Sequence, residues 1–98
     1  MNKYETIFLI KNDITEEQKN KTINTIKNYL NENGKITNIE DLGLKKLAYE
    51  VRKYKEANYY LIEFDAKAEA IMELERMYRI NDDVLKFIVV RKEETENE

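Results

Sequence analysis

The sequence has no cysteine and no histidine, and only two glycines in 98 residues; serine is absent as well. Without cysteine there is no disulfide, thiol nucleophile or thiolate metal site. Without histidine the commonest metal ligand and the commonest general base near neutral pH are missing. Gly34 and Gly43 stand nine positions apart, which cannot build a glycine-rich phosphate loop. Zinc and calcium ligand spacings are absent too, so no metal and no cofactor is expected. An enzyme would have to work with carboxylates, Lys, Tyr or Thr. The chain also lacks an apolar run of membrane-spanning length and a signal-peptide apolar core. The expected location is therefore the cytosol, with no membrane partner.

Charge is abundant: 17 Lys and Arg against 20 Asp and Glu, a net charge of −3. Its distribution matters more than its sum. The last six residues, 93–98, hold four acids and no base, and their composition predicts a disordered tail. Without them, residues 1–92 carry 17 bases against 16 acids. From Gly43 to Lys55 the cations Lys45, Lys46, Arg52, Lys53 and Lys55 face a single acid, Glu50. A balanced domain with one basic stripe suits a specific RNA site better than indiscriminate phosphate binding.

The length fits one domain, placed at 1–92. Residues 4–10 are β-branched and aromatic, as a strand requires. Thr15, followed by Glu16, Glu17 and Gln18, predicts a capped helix start with acids at the positive dipole end. Ile23, Ile26 and Leu30 give the helix one apolar face, and Asn33-Gly34 is expected to end it with Gly34 in the left-handed conformation. Strand character returns at Ile36 and again over 46–51, with Gly43 marking a bulge or bend in one long strand. Residues 53–58 read as a polar hairpin connection and 59–64 as the third strand. Asp65 is the expected cap of a second helix with Ala70, Ile71, Leu74, Met77 and Tyr78 on its apolar face. Asn81-Asp82-Asp83 ends it, and 84–91 is the last strand.

The resulting order, βαββαβ, predicts an α+β, ferredoxin-like fold: a four-stranded antiparallel sheet in the order 4-1-3-2 with two helices on one face. If Thr6, Phe8, Ile10, Ile62, Phe64, Leu85, Phe87 and Val89 face the helices, the open face receives Ile7, Leu9, Tyr59, Leu61, Ile88 and Val90. Such an apolar patch marks a partner surface. The alternative is that local register differs and the C-terminal tail folds across it.

The carboxylate pairs Glu16/Glu17, Glu40/Asp41 and Asp82/Asp83 lie beside turns and helix starts, where capping and solvation explain them. The chain is therefore not expected to be an enzyme and has no expected small-molecule substrate. An acylphosphatase-like site would need an arginine in the loop after the first strand, but that loop is Lys11-Asn12-Asp13. Seven tyrosines could stack on bases. The third strand matches the RNA-recognition-motif pattern poorly, however, and most tyrosines read as core, edge or interface residues. Among the cations, Lys3, Lys86 and Arg91 are expected to cluster on the first and last strands. A ligand-sensing homodimeric regulatory domain of the same fold is the alternative reading.

Gly43-Leu44-Lys45-Lys46-Leu47-Ala48-Tyr49-Glu50-Val51 resembles the hallmark segment of bacterial small-subunit ribosomal protein six, the S-six family. The resemblance extends to Tyr4-Glu5, Asn33-Gly34, Arg79-Ile80 and Val89-Val90-Arg91. Lysines stand where that family often has arginine, which removes bidentate phosphate geometry at Lys45 and Lys46. The resemblance implies a non-enzymatic protein that binds the central domain of 16S ribosomal RNA together with small-subunit ribosomal protein eighteen. The two form a heterodimer and help assemble the platform of the 30S subunit. By the same resemblance, RNA contact falls on Lys3, Tyr4, Lys53, Lys86 and Arg91, with Lys45 and Lys46 next. The heterodimer partner accounts for the apolar open face.

Overall fold

The computed structural model describes residues 1–92, and the acidic stretch 93–98, including its expected disorder, lies outside them. The order is β1 (Asn2–Ile10), α1 (Glu16–Asn33), β2 (Gly34–Val51), β3 (Tyr54–Ala66), α2 (Glu69–Ile80) and β4 (Val84–Lys92). All strand pairs are antiparallel, in the sheet order β2-β3-β1-β4. This is the ferredoxin-like arrangement that the sequence pattern predicts.

Helix α1 starts as expected. The Thr15 hydroxyl accepts from the Gln18 backbone N–H at 3.1 Å, and the Gln18 side chain accepts from the Thr15 backbone N–H at 3.2 Å. These contacts satisfy two donors that a helix end would otherwise leave open. The end of α1 differs. Gly34 has φ 177°, extended rather than left-handed, and already pairs with Ala66 as the first residue of β2. It has to be glycine for space: a Cβ there would lie 1.9 Å from the backbone oxygen of Asp65. Asp65 is likewise not a helix cap. Strand β3 runs through it to Ala66, and α2 begins after Ala68 with no side-chain cap.

Under the helices the sheet contributes Tyr4, Phe8, Ile10, Tyr60, Ile62, Phe64 and Val84, which pack on Ile23, Ile26 and Leu30 of α1 and on Leu74 and Tyr78 of α2. Alternation along the strands puts every second residue into this layer. Two expectations change here. Tyr4, expected at RNA, is only 6 % exposed, its ring stacked on Phe64 with centroids 5.6 Å apart. Leu85, expected in the core, is displaced by a register shift. Leu9 pairs with Lys86 and Ile10 with Val84, so Leu85 is the extra residue of a bulge and Val84 takes the core position.

The β2–β3 hairpin is longer than the sequence pattern implies, because polar residues 54–58 are strand and not loop. Its turn is only Arg52-Lys53, with φ 50° and 71°. Two successive left-handed residues give the turn the hand that matches strand twist. Gly43 has φ 83° beside a register shift at Asp41/Gly43, so the expected bulge is present. Asp41 anchors it: one carboxylate oxygen accepts from the Gly43 N–H at 2.9 Å and the other from the Tyr60 hydroxyl at 3.0 Å. Burial and the Asp41 carboxylate together push the Tyr60 hydroxyl up to about 12, so it remains a donor at any physiological pH.

Candidate functional site

Residues directly opposite one another on neighbouring strands share a face of the sheet. The register therefore writes out the face away from the helices as rows, from β2 to β4. The first row is Lys35, Asp65, Lys3 and Lys92, and the second is Asn38, Glu63, Glu5 and Val90. The third is Glu40, Leu61, Ile7 and Ile88, and the fourth is Gly43, Tyr59, Leu9 and Lys86. The face is thus striped: a mainly cationic row at one end of the sheet, an acidic row, an apolar row, then an aromatic and apolar row beside the hairpin.

The apolar patch expected from the sequence is present, with a graded exposure. Ile88 and Val90 are about half exposed, at 48 % and 49 %, while Ile7, Tyr59 and Leu61 are half-buried. Leu9 is corrected to a covered position, at 7 % exposed. The cover comes from the hairpin. Between Lys46 and Val51 strand β2 has four residues where β3 has only Lys55, so residues 47–50 are extruded from the ladder. Leu47, Ala48, Tyr49 and Val51 wall a groove of about 300 Å³ whose floor includes Ile7, Leu9, Tyr59 and Ile88. At its rim the Lys86 ammonium donates to the Tyr49 hydroxyl at 2.8 Å. That hydrogen bond also holds the ammonium 5.0 Å from the ring centroid, beyond the hydroxyl edge and not over the ring face. It favours the phenolate, so the Tyr49 hydroxyl titrates below its ordinary range. The Leu-Ala-Tyr part of the hallmark segment thus ties β2 to β4 across the face.

The expected cluster of Lys3, Lys86 and Arg91 does not form. Lys3 and Lys86 lie three rows apart on the same face, roughly 20 Å at strand spacing. Arg91 is opposite Tyr4, so it belongs to the helix side, where it donates to the Asn2 side-chain oxygen at 2.9 Å. What gathers at the sheet end is a cleft of about 690 Å³ lined by Lys3, Lys35, Arg91 and Lys92 with Met1, Asn2 and Asp65. Lys35 and Lys92 are not among the expected RNA-contact residues, Lys92 reading from the sequence only as one more cation of the last strand. Their signal lies in the register, which sets Lys35 and Lys3 on either side of Asp65 and Lys92 opposite Lys3. Lys3 pairs with Asp65 at 3.6 Å. Lys45 sits 5.8 Å from the centre of the Tyr59 ring, whereas Lys46 and Lys53 make no ion pair among the described residues. Arg52, another cation of the basic stripe, is turned toward the α2–β4 loop and donates to the Asp82 carbonyl at 2.8 Å.

Residues 3–91 match the family model described as Ribosomal protein S6. The chain belongs to the ribosomal protein S6 family. Small ribosomal subunit protein bS6 of a Nitratiruptor species is 40 % identical over 94 residues, covering 95 % of this chain and 73 % of the relative. The bS6 protein of Bartonella bacilliformis is 44 % identical over 96 residues, covering 97 % and 71 %. The crystal structure of 30S ribosomal protein S6 from Thermotoga maritima matches with a TM-score of 0.88 at 30 % identity, covering 93 % of this chain and 87 % of that one. As an S6 protein the chain is a structural, non-enzymatic constituent of the small ribosomal subunit. Membership in the S6 family also decides against the ligand-sensing regulatory domain. No helix among the described residues is long and apolar enough to cross a membrane.

Proposed function

We propose that this S6 protein binds the central domain of 16S ribosomal RNA together with small-subunit ribosomal protein eighteen. The two proteins act as a heterodimer in assembly of the 30S platform, in the cytoplasm. The observation that carries this reading is the striped open face. An exposed apolar row on a protein of this size is stabilised by a protein partner. A cationic row two steps away on the same face supplies sequence-independent contacts to phosphate. The docked pair then presents a composite surface that neither protein has alone.

Two variants separate the surfaces. Leu61→Asp puts a charge at the centre of the apolar row, and it is expected to weaken binding of purified protein eighteen by roughly 30-fold or more in titration calorimetry. Neutralising the sheet end with Lys3→Gln and Lys35→Gln should leave that affinity unchanged. It should instead reduce the salt dependence of 16S fragment binding by the pair, lowering the log–log slope by about 1.5 for two lost phosphate contacts. If both variants bound partner and RNA like the unmodified chain, the reading would be wrong.

A further inference from the structure

Between the apolar row and the cationic row stand two glutamates, Glu5 and Glu63, directly opposite each other on β1 and β3. Like charges in this position repel. Glu63 is answered by Lys92, whose ammonium is 2.9 Å from its Oε2 and reaches it from β4 across the intervening strand β1. Glu5 has no hydrogen bond or ion pair among the described residues, although Lys92 lies close enough to feel its charge. Both glutamates are half-buried, and Val90, half exposed, completes their row on the β4 side.

Apart from the field of Lys92, the fold gives the half-buried Glu5 carboxylate no contact that offsets the glutamate opposite it, and such local departures concentrate at functional surfaces. Any partner that covers Leu61, Ile7 and Ile88 also strips water from Glu5, one row away. A partner without a cation there would bury an unpaired charge, which is strongly unfavourable. A partner that brings a guanidinium gains charge-assisted hydrogen bonds from the same event.

We infer that Glu5 and Glu63 are the receptor for a basic side chain of the protein partner seated on the apolar row. They select a partner segment with apolar anchors and an Arg or Lys about 7 Å away, the distance between like-facing residues of a strand. The selectivity comes as much from the penalty against partners lacking that cation as from the contact itself. This inference rests on the open face being the docking face for protein eighteen.

The test uses the full chain and purified protein eighteen in titration calorimetry at two salt concentrations, with thermal melts of each free variant. The double variant Glu5→Gln, Glu63→Gln is expected to bind tenfold or more weakly at low salt, with a smaller deficit at high salt. Its Tm alone should change little, because the repulsion removed offsets the loss of the partly exposed Lys92–Glu63 pair. The single variant Glu5→Gln, which keeps the Lys92–Glu63 pair, should lose threefold or more with Tm unchanged. If both variants bind like the unmodified chain while Leu61→Asp fails to bind, the glutamates are not the receptor and the docking face stands. The inference is equally overturned if Glu5→Gln lowers Tm, since the residue would then serve folding. If Leu61→Asp binds normally, the docking face itself is wrong and the inference goes with it.

Discussion

Gly34→Ala is expected to destabilise the chain by about 2–4 kcal/mol, as a fall in the urea midpoint at constant slope. The reason is contact and not conformation. At φ 177° any residue is at ease, but the new Cβ would meet the Asp65 carbonyl oxygen at 1.9 Å and the Ala66 Cβ at 3.1 Å. Both belong to β3, which is held on its far side by β1, so neither can step back without disturbing the centre of the sheet. The control is Gly43→Ala. That glycine has φ 83° with nothing within 4 Å of its would-be Cβ, so only the left-handed backbone opposes alanine, at about 1 kcal/mol. The chain's two glycines are thus required for different physical reasons. A Gly34→Ala variant no less stable than Gly43→Ala would refute the contact argument.

This contrast also marks where sequence reasoning loses its grip. Gly34 after Asn33 carries the local signature of a left-handed helix end, and nothing local reveals that β3 approaches at that point. The strands β1 and β4 and the helix α1 were legible because their signals are local: β-branched runs, a capping box, one apolar stripe. Strand β3 was cut short because Lys55, Glu56 and Asn58 are polar, and only the pairing of Glu56 with Lys46, Ala57 with Lys45 and Asn58 with Leu44 makes this stretch strand. The misassigned Leu85 has the same origin, since a bulge is set by the partner strand. For the candidate site, alternation was enough to identify most of the apolar face. It was not enough to order the rows, because register decides that Lys92 lies opposite Lys3, that Glu5 lies opposite Glu63, and that Lys86 sits at the far end. The fold of 47–50 across Leu9 was invisible for the same reason, although the residues that do it were the most recognisable in the chain.

Thr6→Val is expected to reduce stability by about 2–3 kcal/mol although it preserves shape and volume. Thr6 is fully buried on the helix face of β1, the strand at the centre of both pairings. Its hydroxyl donates to the Ile88 carbonyl on β4 at 2.9 Å, so it must accept in its other contact, at 2.9 Å, from the Tyr78 hydroxyl of α2. Burial raises the Tyr78 hydroxyl well above its ordinary range, which keeps it a donor. Valine therefore strands two groups at once: a buried phenol with no acceptor and a carbonyl that loses one donor. Tyr78→Phe removes only the outer donor and leaves the Thr6–Ile88 bond intact, so about 1 kcal/mol is expected. In the double variant the phenol is gone, and the loss should fall short of the sum of the singles by about 1 kcal/mol. Additive losses would show that the two hydroxyls do not act as a unit. The network also connects stability to docking, because the carbonyl it holds belongs to Ile88, the β4 member of the apolar row. Thr6→Val should then weaken protein eighteen binding by a few-fold while Tyr78→Phe leaves it unchanged, since only the first releases the edge strand from the core.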